Sequence, residues 1–297
     1  MTAMANARPA LASRDDLYAA LDMFMAGLLA QDPSSVRWAK RVRFTENNVA
    51  LMIGDGLWQT ITACGPYDLR FADPLTGQVG LFTTVQETHE ESACMIRLGI
   101  EEGAIAEIEI IVVRQSDSGL KFPDPKFERK PMLEEIVPAA ERLSRERMVA
   151  LSNGYFSTLE RNDGTILTRF HPDCNRVENG VQTTNNAGFH LVEVARLPCE
   201  EQFRLGNYRY DDRLRGRRYP LVDEERGLVL AYAFIDHCGK LGEYQLTDGS
   251  RVSSPIRRPH SFYLAELFKL RDGAIEQIEA NFIGVPYHMP SPWDAWA

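Results

Sequence analysis

The sequence predicts an α+β chain in which one order of elements, helix first and antiparallel strands after, occurs twice. Three observations lead there. Apolar residues recur at helical spacing near the start of each half, a Glu-Asn pair follows each helix at the same distance, and two further landmarks repeat later in the same order. Such self-similarity marks a duplicated structural unit. Helices followed by runs of strands describe a sheet covered by helices on one face.

Taken in order, Leu17, Leu21, Phe24, Met25, Leu28 and Leu29 share one helix face, and Asp32-Pro33-Ser34 ends the run. Met148, Leu151, Tyr155, Phe156 and Leu159 do the same in the second half, closed by "RNDG" at 161–164. Phe24 and Phe156 lie 132 positions apart, as do the Glu-Asn pairs of "FTENNVALMIGDGLW" (44–58) and "HPDCNRVENGVQTT" (171–184). The offset then grows. "DPLTGQV" from Asp73 is echoed by "DEERGLV" from Asp223 at 150, and "EGAIAEIE" (102–109) by "DGAIEQIE" (272–279) at 170. One insertion therefore falls between 179 and 222 and another between 230 and 271, where "GKLGEYQLTDGSRVSSPIRRP" (239–259) reads as a loop. "GDGLWQTI" begins a short helix with Asp55 as its cap and Trp58 facing inward. Strands are expected at 79–86, 92–100, 104–113, 228–236, 260–270 and 274–284. The expected organisation is a first unit at 14–114, a proline-rich charged linker at 115–140, a second unit at 141–286 and a tail at 287–297.

At 297 residues, with 44% hydrophobic and 25% charged residues, the chain can bury a substantial core. A net charge of −9 disfavours nucleic acid, and the one basic run, "RLRGRR" (213–218), lacks interleaved aromatics and reads as a solvated face. No signal-like N-terminus and no run of about 18 apolar residues occurs, so a cytoplasmic protein without membrane attachment is expected. Five scattered cysteines without Cys-x-x-Cys argue for free thiols, and no framework demands that Cys174 and Cys199 lie close, though the sequence allows it. Walker, Gly-x-Ser-x-Gly, His-Glu-x-x-His and dinucleotide motifs are absent, which leaves chemistry without metal or cofactor.

A long amphipathic helix, the segment "FHPDCNRVENG", a small helix and long strands ending in "DGAIEQIE" resemble the nuclear-transport-factor-2-like (SnoaL-like) cone fold. The resemblance implies the fold in tandem, over roughly residues 14–114 and 141–286, and the arrangement resembles an uncharacterised two-copy family. The resemblance implies two cone-shaped α+β barrels, each a curved antiparallel sheet covered by helices. In ketosteroid-isomerase-like members this segment reads Phe-x-x-Asp-x-x-x-x-acid, the last acid being the base. That pattern sets Asp173 at the first acid and Glu178 at the base, with Glu46 as repeat partner and Arg41 replacing the first acid in copy one.

The residues support this chemistry on their own terms. A glutamate among Phe44, Val49 and Leu51 pays desolvation, which raises its pKa toward a general base's working range. The alternative is that Glu-Asn caps the following turn, with Asn or Gly in the left-handed region. His171 and Asp173 stand beside Glu178, and His260 opens a strand from which it can protonate a leaving group. Trp58, Tyr67, Arg97 and Tyr155 are candidate substrate contacts. On "SACMIRLGI", Cys94, Ile96, Leu98 and Ile100 share one face while Met95 and Arg97 share the other, which is either pocket or interface. The expected activity is a cofactor-independent lyase, dehydratase or isomerase acting on a small, largely apolar molecule of aromatic, polyketide-like or terpenoid type. The rival is a non-catalytic binding or assembly module. Its sheet faces would pair with a partner, with another copy in a homo-oligomer, or with each other inside one chain.

Overall fold

The computed structural model describes residues 12–114, 125–190 and 193–294, which form two α+β units in tandem. The first runs α1 (Arg14–Leu29), β1 (Trp38–Glu46), β2 (Val49–Ala50), α2 (Leu57–Thr60), β3 (Ala63–Asp73), β4 (Gln78–Gln86), β5 (Glu91–Glu101) and β6 (Ala104–Val113). The second repeats that order as α3 (Arg145–Arg161), β7 (Phe170–Glu178), β8 (Val181–Gln182), α4 (Cys199–Leu205), β9 (Arg213–Asp223) and β10 (Leu228–His237). It then inserts the hairpin β11 (Glu243–Gln245) and β12 (Arg251–Ser253) before β13 (His260–Arg271) and β14 (Ala274–Val285). The insertion expected as plain loop thus carries its own two strands.

Both helices form for the reasons their sequences state. Ser13 and Asp16 make a reciprocal capping box at α1, and Ser144 accepts from the Arg147 amide at α3. Leu17, Leu21, Phe24 and Leu28 are buried against the first sheet, and Met148, Leu151, Tyr155 and Phe156 against the second. Each such side chain contributes about 1.5–3 kcal/mol of burial. Leu29 falls outside the stripe and is 40% exposed on the last turn.

The strand orders, β2-β1-β6-β5-β4-β3 and β8-β7-β14-β13-β10-β9, are the same in both units. Each sheet is mixed where the order of elements and the resemblance imply antiparallel strands, because β1 runs parallel to β6 and β7 to β14. Three reversals carry the chain from β3 to β6, so β6 returns in the direction of β1. The alternation of side chains along a strand holds no record of direction. The basic run 213–218 lies in β9 and is paired with acids: Arg213 and Arg215 with Asp236, Arg217 with Glu160 and Arg218 with Glu109.

The inner face of each sheet packs on its own helices and the outer faces pack on each other. Phe71, Phe82, Met95 and Ile111 of the first sheet meet Leu230, Tyr232, Tyr263 and Leu267 of the second. The faces expected to serve a homo-oligomer are therefore covered within one chain. The pairing is reciprocal. Arg14 at the start of α1 holds Asp223 (2.6 and 2.8 Å), and Arg145 at the start of α3 holds Asp73. Asp223 also accepts from the Ala72 amide (3.3 Å) and Asp73 from the Val222 amide (3.1 Å). The repeated Asp-x-x-x-Gly-x-Val is this clasp with its turn. Its glycines, Gly77 and Gly227, have φ +67° and +62°, and an added Cβ would lie 2.6 and 2.4 Å from the carbonyls of Ile100 and Leu270. Asp73→Ala and Asp223→Ala should each cost about 2–4 kcal/mol, since each strands a partly buried arginine and a backbone amide. Urea denaturation measures both, and a near-zero loss for either would break the symmetry argument.

The repeated Glu-Asn is resolved as architecture at its asparagine. Asn47 (φ +50°) exchanges two hydrogen bonds with the backbone of Val112 (3.1 and 2.9 Å), and Asn179 (φ +49°) does the same with Phe282 at the same distances. Both side chains lock the turn after the first strand onto the last strand of the sheet.

Segments beyond each sheet cross to the other unit. Lys126 donates to the Gly180 carbonyl (2.7 Å), the Phe127 ring lies tilted 5.7 Å from Tyr67, and Leu133 and Val137 are buried, so this stretch of the expected linker packs. Residues 115–124 of that linker lie outside the described residues, as do 1–11 of the N-terminus and 295–297 of the tail. In the tail, Pro290 accepts from Asn48 (2.8 Å) and Trp293 donates to Thr45 (3.1 Å), against Arg43, Arg97 and Arg218. No described helix is long and apolar enough to cross a membrane.

Candidate functional site

The interior of the second unit is where ionisable groups converge. Strand alternation decides which ones. On β13, Phe262, Leu264, Glu266 and Phe268 point beneath α3 and α4, while Tyr263, Ala265 and Leu267 face the other sheet. On β7 the inward set is Cys174, Arg176 and Glu178.

Arg176 is the hub. Its guanidinium is buried and donates to Thr183 Oγ1 (3.1 Å), Gln202 Oε1 (2.8 Å), Tyr208 Oη (2.9 Å) and Tyr155 Oη (3.4 Å), and pairs with Glu178 (3.3 Å). Gln202 is fixed from behind by donating to the carbonyls of Thr183 (2.8 Å) and Val194 (2.9 Å). Glu178 keeps 24% of its side chain exposed. Glu266 is buried, and burial followed by the neighbouring Glu178 charge pushes its pKa up to about 8, against the pull of Arg176 and a hydrogen bond with Tyr155. One carboxyl is therefore held protonated at neutral pH while the other is ion-paired and reaches solvent.

At the C-terminal end of β10, His237 lies 2.9 Å from Asp211, and its Nδ1 is buried with no hydrogen-bond partner among the described residues. Burial raises the Asp211 pKa, with His237 opposing. His260, the cross-strand neighbour of His237, stacks on it with ring centroids 4.6 Å apart. Its Nδ1 lies 3.1 Å from the Arg258 carbonyl, which fixes that nitrogen as the donor. Burial first, then His237, lowers the His260 pKa below its usual 6.5. That shift favours the neutral ring, and no carboxyl of the Arg176 cluster is a hydrogen-bond partner of His260 among the described residues.

The other residues singled out from the sequence are dispersed. Tyr155 lies inside this site, edge-on to Phe203 and Phe268. The Asp173 carboxylate is 90% exposed, and His171 stays beside it at 3.7 Å, so neither supports Glu178. Glu46 is spoken for in the first unit: it accepts from the Leu57 amide (2.6 Å) and pairs with Arg114 (3.2 Å), which makes it the cap of α2 in place of Asp55. Trp58 is inward as expected, but packed edge-on to Phe24 within an apolar core. Arg97 and Tyr67 lie between the sheets rather than in a cone. Arg97 binds Glu109, and Tyr67 donates to Glu279 beside a cavity of about 10 Å³, room for about one water.

Glu266, Arg176, Tyr208 and Asp211 were missed. For the first two a signal existed, since each is a charged residue on the inward face of a strand, the argument applied to Arg97. Tyr208 and Asp211 come from the inserted segment between α4 and β9, where no periodicity locates them. No group of three or more His, Cys, Asp or Glu side chains among the described residues is arranged to hold a metal ion.

The family described as "Domain of unknown function (DUF8021)" matches residues 141–282, the stretch that contains this site. No curated protein matches the chain. Among solved structures the chain is similar to a de novo designed protein with a curved β-sheet, at 14% identity and TM-score 0.29, over 47% of this chain and 87% of that one. It is similar to AusH from Aspergillus nidulans at 11% identity and TM-score 0.30, over 47% and 85%. It is also similar to LinA at 11% identity and TM-score 0.26, over 49% and 90%. Each match spans about half of this chain.

Proposed function

We propose that the second unit is an acid–base catalyst, a lyase, dehydratase or isomerase without cofactor, acting on a small and largely apolar molecule. The observation that carries the reading is the pair of carboxyl groups around Arg176 held in unlike surroundings, Glu266 buried with its pKa pushed up to about 8 and Glu178 ion-paired to Arg176 and reaching solvent. Glu178 takes a proton from a substrate carbon. Glu266 gives its proton to the oxygen that leaves or to the enolate that forms, and Arg176 with Tyr155 and Tyr208 holds the charge developing between them. Phe203 and Phe282 belong to the buried apolar core of this unit and Phe262 packs against it, surroundings that suit an apolar ligand body. The first unit serves as the paired scaffold.

The test is turnover and binding against a panel of small hydroxylated and carbonyl-bearing aromatic, polyketide-like and terpenoid compounds. Glu178→Gln and Glu266→Gln should each lower turnover by about 10²–10⁴-fold, while Glu46→Gln leaves it unchanged. Wild-type turnover in both cone variants would sink the assignment. A non-catalytic binding or assembly module is the second reading, supported by the packed apolar interior of the first unit and the commitment of Glu46 as a cap.

The raised Glu266 pKa also predicts a pH effect whose sign is fixed. Its folded value, about 8, exceeds its ordinary 4.5, so between those limits the folded state holds a proton that the unfolded state has lost. Stability should fall with rising pH across that window by about 1.4 kcal/mol per pH unit and level off above it. Glu266→Gln removes this component. Parallel stability–pH curves for variant and wild type would show that the carboxyl is not held neutral.

A further inference from the structure

We propose that Cys174 and Cys199 form a peroxide-sensitive redox pair that closes to a disulfide and ties α4 to β7 across the wall of the second unit. Their sulfurs lie 3.0 Å apart, and the Cys199 sulfur is also 3.3 Å from the Cys174 carbonyl. A bonded pair lies at about 2.05 Å, so closure asks each sulfur to move by about half an ångström. Both side chains are buried, whereas Cys64 is exposed and Cys238 half-exposed. A small oxidant therefore reaches this pair, while a bulky one is confined to the surface thiols.

The two thiols are not equivalent. Burial raises Cys199, but the hydrogen bond from Cys174 and the charge of Arg176 outweigh it, and its pKa ends below the usual thiol value. Cys174 is raised, chiefly by that same hydrogen bond and then by burial. The order of attack does not alter the product. One thiolate attacks an oxygen of hydrogen peroxide, the O–O bond breaks, and a sulfenic acid forms while the departing hydroxide takes up a proton as water. The other thiolate then attacks the sulfenic sulfur, the S–S bond forms, the S–O bond breaks, and the second oxygen leaves as water. Two thiols and one peroxide give one disulfide and two waters, and a dithiol reverses the change.

The consequence lies in what the two elements carry. α4 holds Gln202 and β7 holds Arg176 and Glu178, so the bond would fix the distance between the hub and its acceptor. Oxidation stiffens the wall of the proposed site without removing any of its polar groups.

The test uses the full chain and needs no substrate, so it stands or falls apart from the acid–base reading. Protein is treated with hydrogen peroxide, denatured, alkylated, digested and mapped by mass spectrometry. The expected result is a cross-linked peptide joining positions 174 and 199, with two of the five thiols protected and both restored by dithiothreitol. The melting temperature of oxidised protein should rise by several degrees, and not for Cys174→Ser or Cys199→Ser. If those variants fail to fold, mapping in a Cys64→Ser/Cys238→Ser background carries the test. Five alkylated thiols after peroxide, or protection confined to Cys64 or Cys238, would overturn the proposal. A cross-link without a change in melting would overturn the stiffening.

Discussion

Glu109→Gln is expected to cost the protein about 3–5 kcal/mol, the largest loss from any single change at the joint between the two sheets. Glu109 is fully buried and lies between Arg97 of its own sheet and Arg218 of the other, and it also accepts from Tyr263. Burial alone would push its pKa up. Arg218 and Arg97 together pull harder, and it ends below the usual carboxylate value. Glutamine keeps the shape and removes the charge, which leaves two guanidinium groups in a dry interface with one anion, Glu107, on the outer side of Arg97. The stability Glu109 supplies is present above its ordinary pKa and lost as pH falls through the lowered one. The variant should therefore differ most from wild type near neutrality and converge with it in acid. Guanidinium or urea denaturation at two pH values measures this, and a loss under about 1 kcal/mol at pH 7 would mean that water reaches the pair.

Arg176→Met should cost about as much, roughly 3–5 kcal/mol, and should abolish the proposed activity. Methionine fills most of the aliphatic volume but offers none of the donors. Glu178, Gln202 Oε1 and the Tyr208 hydroxyl each lose a partner, and Glu266 loses the positive charge that moderates its pKa. A titration of the Glu266 carboxyl, followed by infrared or NMR, should then move above its value of about 8 in the wild type. That readout separates an electrostatic hub from simple loss of packing, since a merely space-filling arginine would leave the titration in place.

The proposed site and the clasp between units were legible to different degrees. Tyr155 and Glu178 could be read because one lies on a helical stripe and the other in a motif that repeats. Glu266 is written as plainly, a glutamate on the apolar face of "FYLAELF", yet it stands out only once that face is known to look into the cone. The surroundings of His260 were not legible, because burial and the cross-strand partner His237 both act on its ring and no spacing along the chain reveals that partner. Arg97 was correctly set apart from Cys94 and Ile96 by alternation. Which of the two faces met a helix and which met the second sheet was left open.

By itself the sequence determined the two α+β units, their main helices and strands, and the repeated landmarks at Asn47 and Asn179 and at Asp73 and Asp223. These follow from local periodicity and turn chemistry, which act over a few residues. Only the tertiary structure decided that β1 and β7 run parallel to their neighbours, that outer sheet faces pair within one chain, and that Arg176 gathers Glu178 and Glu266. Those outcomes depend on contacts between segments far apart in the chain, as in Arg14 with Asp223, 209 positions away. Burial, which sets both the clasp strength and the Glu266 proton, exists only when those segments meet.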